Sequence, residues 1–242
     1  LSGYVVAKSL LKTKVGIPVY FASRFIRLLP VAWAAVIAGL LLRALTGSPP
    51  EEATAYLQNL SEPLSYADKI GLFTMIFPIP RSELINPPLW TLVLEMQAVL
   101  LMPLLVMIAK KTAFWVLPLF SIIVAYALAR KMDWGYPLYF SGFALGTALA
   151  VHESKLPSLE TPKIILVFAF AMLMSRHITE YDSALMRPLY AISAVFVIYA
   201  IRSGAADILL AKPLQFLGKI SYPFYAFHWV VMTAMVFAVG EW

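Results

Sequence analysis

The 242-residue sequence contains no cysteine, and only 13% of its residues are charged. The absence of cysteine excludes disulfide bonds, thiolate nucleophiles and cysteine-ligated metals. Its three histidines, His152, His177 and His228, have no close histidine or carboxylate partner within an apolar segment, so no metal is expected. By contrast, 61% of the residues are hydrophobic. This composition is unlike that of a water-soluble domain and predicts a chain embedded in a lipid bilayer.

Seven apolar segments are suited to cross a bilayer as helices. They cover residues 28–45, 89–109, 113–129, 136–151, 164–174, 186–201 and 220–239. We therefore predict an all-α, polytopic transmembrane helix bundle of about seven to eight spans, forming a single domain over residues 1–242 without internal repeats. A further apolar stretch, 70–80, is too short for an ordinary span and ends in Pro78 and Pro80, so we expect it to be re-entrant or interfacial.

The distribution of basic residues predicts which ends of the spans face the cytoplasm. With residues 1–27 inside, the inner segments carry twelve Lys and Arg residues and the outer segments carry seven. The inner segments contain three acidic residues, Glu153, Glu160 and Asp207, whereas the outer segments contain nine. The net charge is then +9 inside and −2 outside, which supports this orientation.

Arg24 and Arg27 lie at the predicted cytoplasmic end of the first complete span, shortly before Pro30. On a helix, a spacing of three residues places both guanidinium groups on one face, where they can bind phosphate oxygens in bidentate fashion. The pair therefore favours a phosphorylated ligand from the cytosol. Arginines at a helix end also serve as ordinary topology anchors, and the sequence leaves this alternative open.

Glu95 is the only charged residue inside its apolar segment. A carboxylate at membrane depth costs roughly 2 to 3 kcal/mol on insertion scales, so we predict that Glu95 is paired, protonated or directed into a polar cavity. Thr91 lies one turn earlier on the same helical face, and Trp90 and Asn86 are placed to line the same cavity. A structural hydrogen bond to a neighbouring helix is the alternative.

Ser221, Tyr225 and His228 follow the spacing i, i+4, i+7 in the last span. This spacing predicts a polar stripe on one helical face, able to form a hydrogen-bonded chain toward the bundle interior. His228 fits the role of a base, a proton shuttle or an oriented donor. Alternatively, it only braces two helices, beside aromatic residues that anchor the span at the interface.

Taken in order, these motifs resemble the acyltransferase-3 family of integral membrane O-acyltransferases. The corresponding residues are Leu1-Ser2-Gly3-Tyr4, Arg24 with Arg27 and Pro30, Trp90-Thr91-Leu92 with Glu95, and Gly218-Lys219-Ile220-Ser221-Tyr222 with Tyr225 and His228-Trp229. Residues 139–146 resemble the Phe- and Gly-rich helix of the family, in which small residues permit close helix packing. Thr91 and Tyr4 replace the commoner Ser and Phe, but neither change removes a chemical group.

The resemblance implies transfer of an acyl group, acetyl in the first instance, from acyl-CoA to a hydroxyl of a glycan or small-molecule acceptor of the cell envelope. The membrane would be the bacterial cytoplasmic membrane, and the partners would be its lipid, acyl-CoA and the acceptor, without nucleic acid. Arg24 and Arg27 would bind the phosphates of acyl-CoA, Glu95 would orient the base or the acceptor, and His228 would assist. The expected lining of the substrate cavity is Trp90, Thr91, Ser221 and Tyr225. The principal histidine of the family precedes the Leu-Ser-Gly motif, so we expect it upstream of Leu1 in a longer protein.

Two other functions are consistent with parts of the sequence. A transporter or permease explains an intramembrane carboxylate and a polar stripe, but it predicts inverted repeats and gives no reason for the paired arginines. A catalytically inactive membrane scaffold is the second alternative, and a histidine upstream of Leu1 would argue against it.

Overall fold

The computed structural model describes residues 2–12, 16–46, 58, 62–76, 85–132, 136–175 and 186–239. Within these ranges it contains nine α-helices and no β-strand, which confirms the predicted all-α architecture. The helices are α1 (Ser2–Lys12), α2 (Ile17–Thr46), α3 (Tyr66–Thr74), α4 (Leu89–Lys111), α5 (Val116–Met132), α6 (Tyr139–His152), α7 (Pro162–Ser175), α8 (Met186–Ala200) and α9 (Lys212–Val239).

All seven predicted spans coincide with helices. Of the described segments, four are long and apolar enough to cross a membrane, namely Ile17–Thr46, Leu89–Lys111, Pro188–Ala205 and Lys212–Val239. The helices α5, α6 and α7 have 17, 14 and 14 residues, fewer than the roughly 20 that an untilted span needs. The chain is thus a multi-pass membrane protein, while a count of seven crossings stays a prediction.

Two long helices begin earlier than the sequence predicts. Helix α2 begins at Ile17 because the carbonyl of Gly16 accepts hydrogen bonds from the backbone N–H groups of Val19 and Tyr20. Pro18 is tolerated there because an N–H group in the first turn of a helix has no acceptor within the helix. The same reason applies to α9, which begins at Lys212 with proline as its second residue. Arg24 and Arg27 are therefore not at a helix end, because both lie well inside α2, while their place at the cytoplasmic end of the span stays a prediction.

The short apolar stretch 70–80 contributes to helix α3. This helix begins with a capping box between Ser65 and Asp68 and stops where Met75 adopts a φ of 55°, in the left-handed region. Nine helical residues extend roughly 14 Å, which is less than half of a bilayer core. As predicted, this helix is too short for an ordinary span. Pro78 and Pro80 lie outside the described residues.

The chain forms two compact units. One comprises residues 1–20 and 98–211, and the other comprises residues 21–97 and 212–242. In the first unit, α6 packs against α1, α5 and α8, and α7 packs against α8. The second unit has an apolar core built from α2, α3, the beginning of α4 and α9, with Leu28, Leu72, Met96 and Ala226 among its buried residues.

Helices α1 and α6 approach each other at two glycines of the first unit. A Cβ atom at Gly3 would lie 2.5 Å from the carbonyl oxygen of Phe143, and one at Gly146 would lie 2.5 Å from the backbone nitrogen of Tyr4. No side chain fits at these distances, so the two backbones pack directly on each other. The close packing expected of residues 139–146 is therefore present.

A buried tyrosine compensates for a proline inside α4. Pro103 has no N–H, so the carbonyl of Val99, four residues earlier, lacks its helical partner. The hydroxyl of Tyr20 donates to this carbonyl at 3.2 Å, and Tyr20 is only 1% exposed. Side chains of this kind are what allow a proline inside a membrane helix, because lipid offers no hydrogen bond.

An ion-pair network in the first unit joins three residues that the charge distribution assigns to the inner face. The carboxylate of Glu153 accepts hydrogen bonds from Lys8 Nζ at 2.6 Å and Tyr4 Oη at 3.0 Å, and Arg202 Nε lies 3.2 Å away. Burial alone would raise the pKa of Glu153, but these hydrogen bonds and the charges of Lys8 and Arg202 outweigh it and lower that pKa. The contacts agree with a common side for these residues.

We predict that Gly146→Ala destabilises the protein by about 1 to 3 kcal/mol, because its methyl group forces α1 away from α6. Gly142→Ala in the same helix is the matched control. Its Cβ would meet only the Cβ of Ala191, at an ordinary 3.8 Å. Thermal unfolding in detergent measures both variants, and equal melting temperatures would contradict the direct backbone contact.

We predict that Tyr20→Phe costs about 1 kcal/mol, because it leaves the carbonyl of Val99 without a partner. The cost should largely disappear in the Pro103→Ala background, where the restored N–H of residue 103 binds the same carbonyl. A double-mutant cycle on unfolding free energies measures this coupling, with Tyr126→Phe as an exposed control. An unchanged cost in both backgrounds would refute the compensation.

Candidate functional site

The second unit brings together residues from the three sequence motifs. Helix α2 carries Arg24 and Arg27, α4 carries Glu95, and α9 carries Tyr222. The charges of both arginines act on the carboxylate of Glu95, and the charge of Glu95 acts on the hydroxyl of Tyr222. These motifs are separated by dozens of residues in sequence, and the fold places their polar groups within electrostatic range of one another.

The two arginines are not equivalent. Arg24 is buried, with 6% of its surface exposed, whereas Arg27 is exposed. Glu95 is half-buried and has the electrostatic partners that its isolation in an apolar helix led us to expect. The two guanidinium groups keep the site positively charged whether or not Glu95 is ionised, which suits an anionic ligand.

Tyr222 also belongs to this site, although no role was expected for it. Its hydroxyl donates to the carbonyl of Leu28 at 2.7 Å and thereby ties α9 to α2, one residue after Arg27. The signal in the sequence was its place in the Ile220-Ser221-Tyr222 motif. The pattern gives no information about distances between helices, so the neighbourhood of Glu95 could not be foreseen from it.

A second cluster lies at the beginning of α4. Thr91 Oγ1 is 3.1 Å from the carbonyl oxygen of Pro88 and 3.0 Å from Tyr225 Oη, and Tyr225 Oη is 3.0 Å from the same carbonyl oxygen. Tyr225 also packs against His228, with ring centroids 5.4 Å apart. Thr91, Tyr225 and His228 are thus brought together, as the sequence led us to expect.

Ser221 does not join this cluster. Its hydroxyl donates to the carbonyl of Gly218 in its own helix at 2.8 Å, and its side chain is exposed. The predicted chain from Ser221 through Tyr225 to His228 is therefore wrong at its first member. A serine in a helix readily binds a carbonyl of the preceding turn, and this local bond replaces the longer contact.

Asn86 connects α9 to the segment before α4 by a hydrogen bond. It is fully buried, and its Nδ2 donates to the carbonyl of Ala226 at 2.8 Å. A flipped amide would oppose two oxygen atoms, so the contact fixes the orientation of the group. Trp90, the remaining predicted cavity residue, is 39% exposed. Trp90 directly precedes Thr91 in α4, so their proximity follows from the sequence alone.

Comparison with known proteins identifies the chain at the level of a family. A family model with the description "Acyltransferase domain" matches residues 1–242, so the match extends over both compact units. No curated protein and no solved structure matches the chain.

Proposed function

The chain belongs to the acyltransferase-3 family, and on this premise we propose that it transfers an acyl group from acyl-CoA to a hydroxyl group of a cell-envelope acceptor. Acetyl-CoA is the proposed donor, and a carbohydrate is the proposed acceptor. The proposed location is the bacterial cytoplasmic membrane, with the charged inner segments facing the cytosol. Family membership makes the chain an acyltransferase, and it favours this activity over a permease or an inactive scaffold.

The grouping of Arg24 and Arg27 beside Glu95 is the observation that carries the proposal. Guanidinium groups only donate hydrogen bonds, and phosphate oxygens at neutral pH mainly accept them. The positive charge of the two guanidinium groups attracts the phosphates of acyl-CoA from the cytosolic side. The burial of Arg24 restricts its motion, while the exposed Arg27 is accessible to a ligand.

Acyl transfer requires a hydroxyl oxygen to attack the thioester carbonyl while its proton is removed and the CoA thiolate departs. In our proposal Glu95 is a positioning residue whose carboxylate orients the acceptor or the base. The family resemblance assigns the proton removal to a histidine that precedes the Leu-Ser-Gly motif.

We predict that replacing Arg24 and Arg27 together by alanine weakens acetyl-CoA binding at least about tenfold, because hydrogen bonds to charged groups contribute about 1.5 to 3 kcal/mol each. Replacing Lys110 and Lys111 by alanine is the control, since these lysines end α4 and have the same charge. Isothermal titration of the purified protein in detergent measures both affinities. Equal losses of acetyl-CoA affinity in the two variants would mean that the arginines are only topology anchors.

The arginine variant should also be measured in a Glu95→Gln background. If the arginines only neutralise Glu95, removing its charge makes them dispensable, and acetyl-CoA binding returns. If they bind phosphate, the affinity remains low. We expect it to remain low, and a restored affinity would contradict the proposed role.

We predict that Glu95→Gln preserves membrane insertion and acetyl-CoA binding but lowers acyl transfer about 100-fold, the usual cost of a misplaced reacting group. Glutamine keeps the size of the side chain and removes its charge. Turnover of radiolabelled acetyl-CoA measures the effect, with Glu160→Gln, an exposed carboxylate outside the helices, as the control. Unchanged turnover would exclude Glu95 from the reaction.

A further inference from the structure

An apolar groove of about 360 Å³ lies between α5, α6 and α8 in the first unit. Its lining includes Trp115, Leu119, Leu149, Ile192, Phe196 and Tyr199. Trp115, Leu119 and Phe196 are 64, 52 and 45% exposed, so the groove is open sideways. In a chain that spans a membrane, a sideways opening faces lipid. The groove therefore suits a hydrocarbon chain, because lipid tails are as apolar as the side chains that line it.

The groove lies at one end of these three helices. Its lining comes from the beginning of α5 and from the C-terminal parts of α6 and α8. Helix α5 follows Lys110 and Lys111, α6 leads to Lys155, and α8 leads to Arg202. The charge distribution assigns all of these basic residues to the cytoplasmic side. The groove is therefore predicted to lie in the inner half of the bilayer.

The predicted cytoplasmic end of the groove is bounded by the segment that follows α6. Leu156 of this segment belongs to the lining. The hydroxyl group of Tyr199 donates to the carbonyl of Pro157. The backbone N–H of Leu159 donates to Ser203 Oγ at 3.3 Å. These bonds hold the segment against the end of α8, so this end of the groove is fixed by the fold.

Arg202 lies at the same end. Its Cζ is 5.9 Å from the ring centroid of Tyr199, which lines the groove, and its Nε is 3.2 Å from Glu153 Oε1. Within the part of the chain that the structure describes, Nη1 and Nη2 of Arg202 make no hydrogen bond. Two such nitrogen atoms bind two oxygen atoms of a phosphate group in bidentate fashion. The arginine is thus available to a phosphate at the end of an apolar groove.

The ion pairs around Arg202 leave this position positively charged. The carboxylate of Glu153 also pairs with Lys8 Nζ at 2.6 Å, so in this network one anion is shared by two cations. Basic pockets between membrane helices on the cytoplasmic side are typical sites for the head groups of anionic lipids. A zwitterionic lipid would bring a further cation to a site that already has an excess of positive charge.

We infer that the first unit binds an anionic phospholipid of the inner leaflet, with one acyl chain in the groove and the phosphate on Nη1 and Nη2 of Arg202. The inference goes beyond the proposed acyl transfer, because the groove and Arg202 belong to the first unit, whereas Arg24, Arg27 and Glu95 belong to the second. The groove offers a lipid tail little that the bilayer does not offer. The phosphate therefore supplies the preference for this lipid, and the groove determines where the lipid lies.

The head group is tested with two lipids that have the same acyl chains, dioleoyl phosphatidylglycerol and dioleoyl phosphatidylcholine. Native mass spectrometry of the purified protein in detergent measures both affinities. We expect the wild type to bind phosphatidylglycerol about tenfold more tightly, and Arg202→Gln to remove most of this preference, the effect of one charge-assisted hydrogen bond. Arg130→Gln removes the same charge at the other end of α5 and should keep the preference.

The acyl chain is tested with Val195→Trp. Val195 lines the groove and is half-buried, so the larger indole fills the space. Because both lipids carry the same chains, we expect both affinities to fall by the same factor, about threefold or more. Val124→Trp is the control, since Val124 is exposed on α5 and is not part of the lining.

The outcomes decide between this site and its alternatives. Equal affinities of the wild type for the two lipids, or a preference that survives Arg202→Gln, would overturn the inference. If thermal unfolding shows that Arg202→Gln is not folded, Arg202→Lys decides, because it keeps the charge opposite Glu153 but loses the paired nitrogen atoms. A full preference in Arg202→Lys would contradict bidentate binding. Unchanged affinities in Val195→Trp would exclude the acyl chain from the groove. Inorganic phosphate that competes as strongly as the lipid would identify a site for free phosphate instead.

Discussion

Carbonyl groups without a helical partner set the constraint on which the rest of this structure depends. Lipid offers them no hydrogen bond, so side chains from other helices must do so. Tyr20 binds the carbonyl that Pro103 leaves open, and at the end of α3 Trp33 Nε1 and Gln97 Nε2 bind the carbonyls of Phe73 and Ile76 at 2.8 and 2.9 Å. Each of these hydrogen bonds fixes the position of one segment along the other. An apolar contact in lipid does not fix this position. The polar residues of this apolar chain are therefore the residues that determine its helix packing.

Side-chain hydrogen bonds to helix carbonyls also assemble the candidate site. Tyr222 donates to a carbonyl of α2, and Asn86 donates to a carbonyl of α9. These two bonds fix α9 against both α2 and the segment before α4, so that the arginines, the carboxylate and the hydroxyl groups of Thr91 and Tyr225 lie in one unit. Neither residue needs to contact a substrate for its loss to disturb the site, because each holds the elements that do.

The helices and the main polar clusters could be predicted from the sequence, but the bonds between them could not. A long apolar segment predicts a helix whatever its neighbours are. An isolated Glu95 predicts a partner, because an unpaired carboxylate at membrane depth costs free energy. The early start of α2 was missed because basic residues in its first turns lower the hydropathy without interrupting the helix. The contact of Ser221 with Tyr225 was predicted wrongly because helical spacing shows only which residues share a face. It does not show that the serine hydroxyl binds a carbonyl of the preceding turn instead. The partners of Glu95 depend on three-dimensional contacts that no spacing rule contains.

The polarity of the two clusters corresponds to the two substrates of the proposed reaction. Arginine side chains only donate hydrogen bonds, which matches the phosphates of a CoA thioester, whereas the hydroxyl groups of Thr91 and Tyr225 both donate and accept, which matches a hydroxyl compound. Thr91 and Glu95 are four residues apart on α4, so they share a face and are separated by about 6 Å along its axis. That spacing places the carboxylate of Glu95 one helical turn from the hydroxyl cluster of Thr91 and Tyr225. A residue that orients a hydroxyl group toward a thioester needs to lie between the two substrates, and of the charged residues in α4 only Glu95 precedes the two lysines at the helix end. Because the charges of the arginines also act on Glu95, this residue connects the arginine cluster to the hydroxyl cluster through one helix.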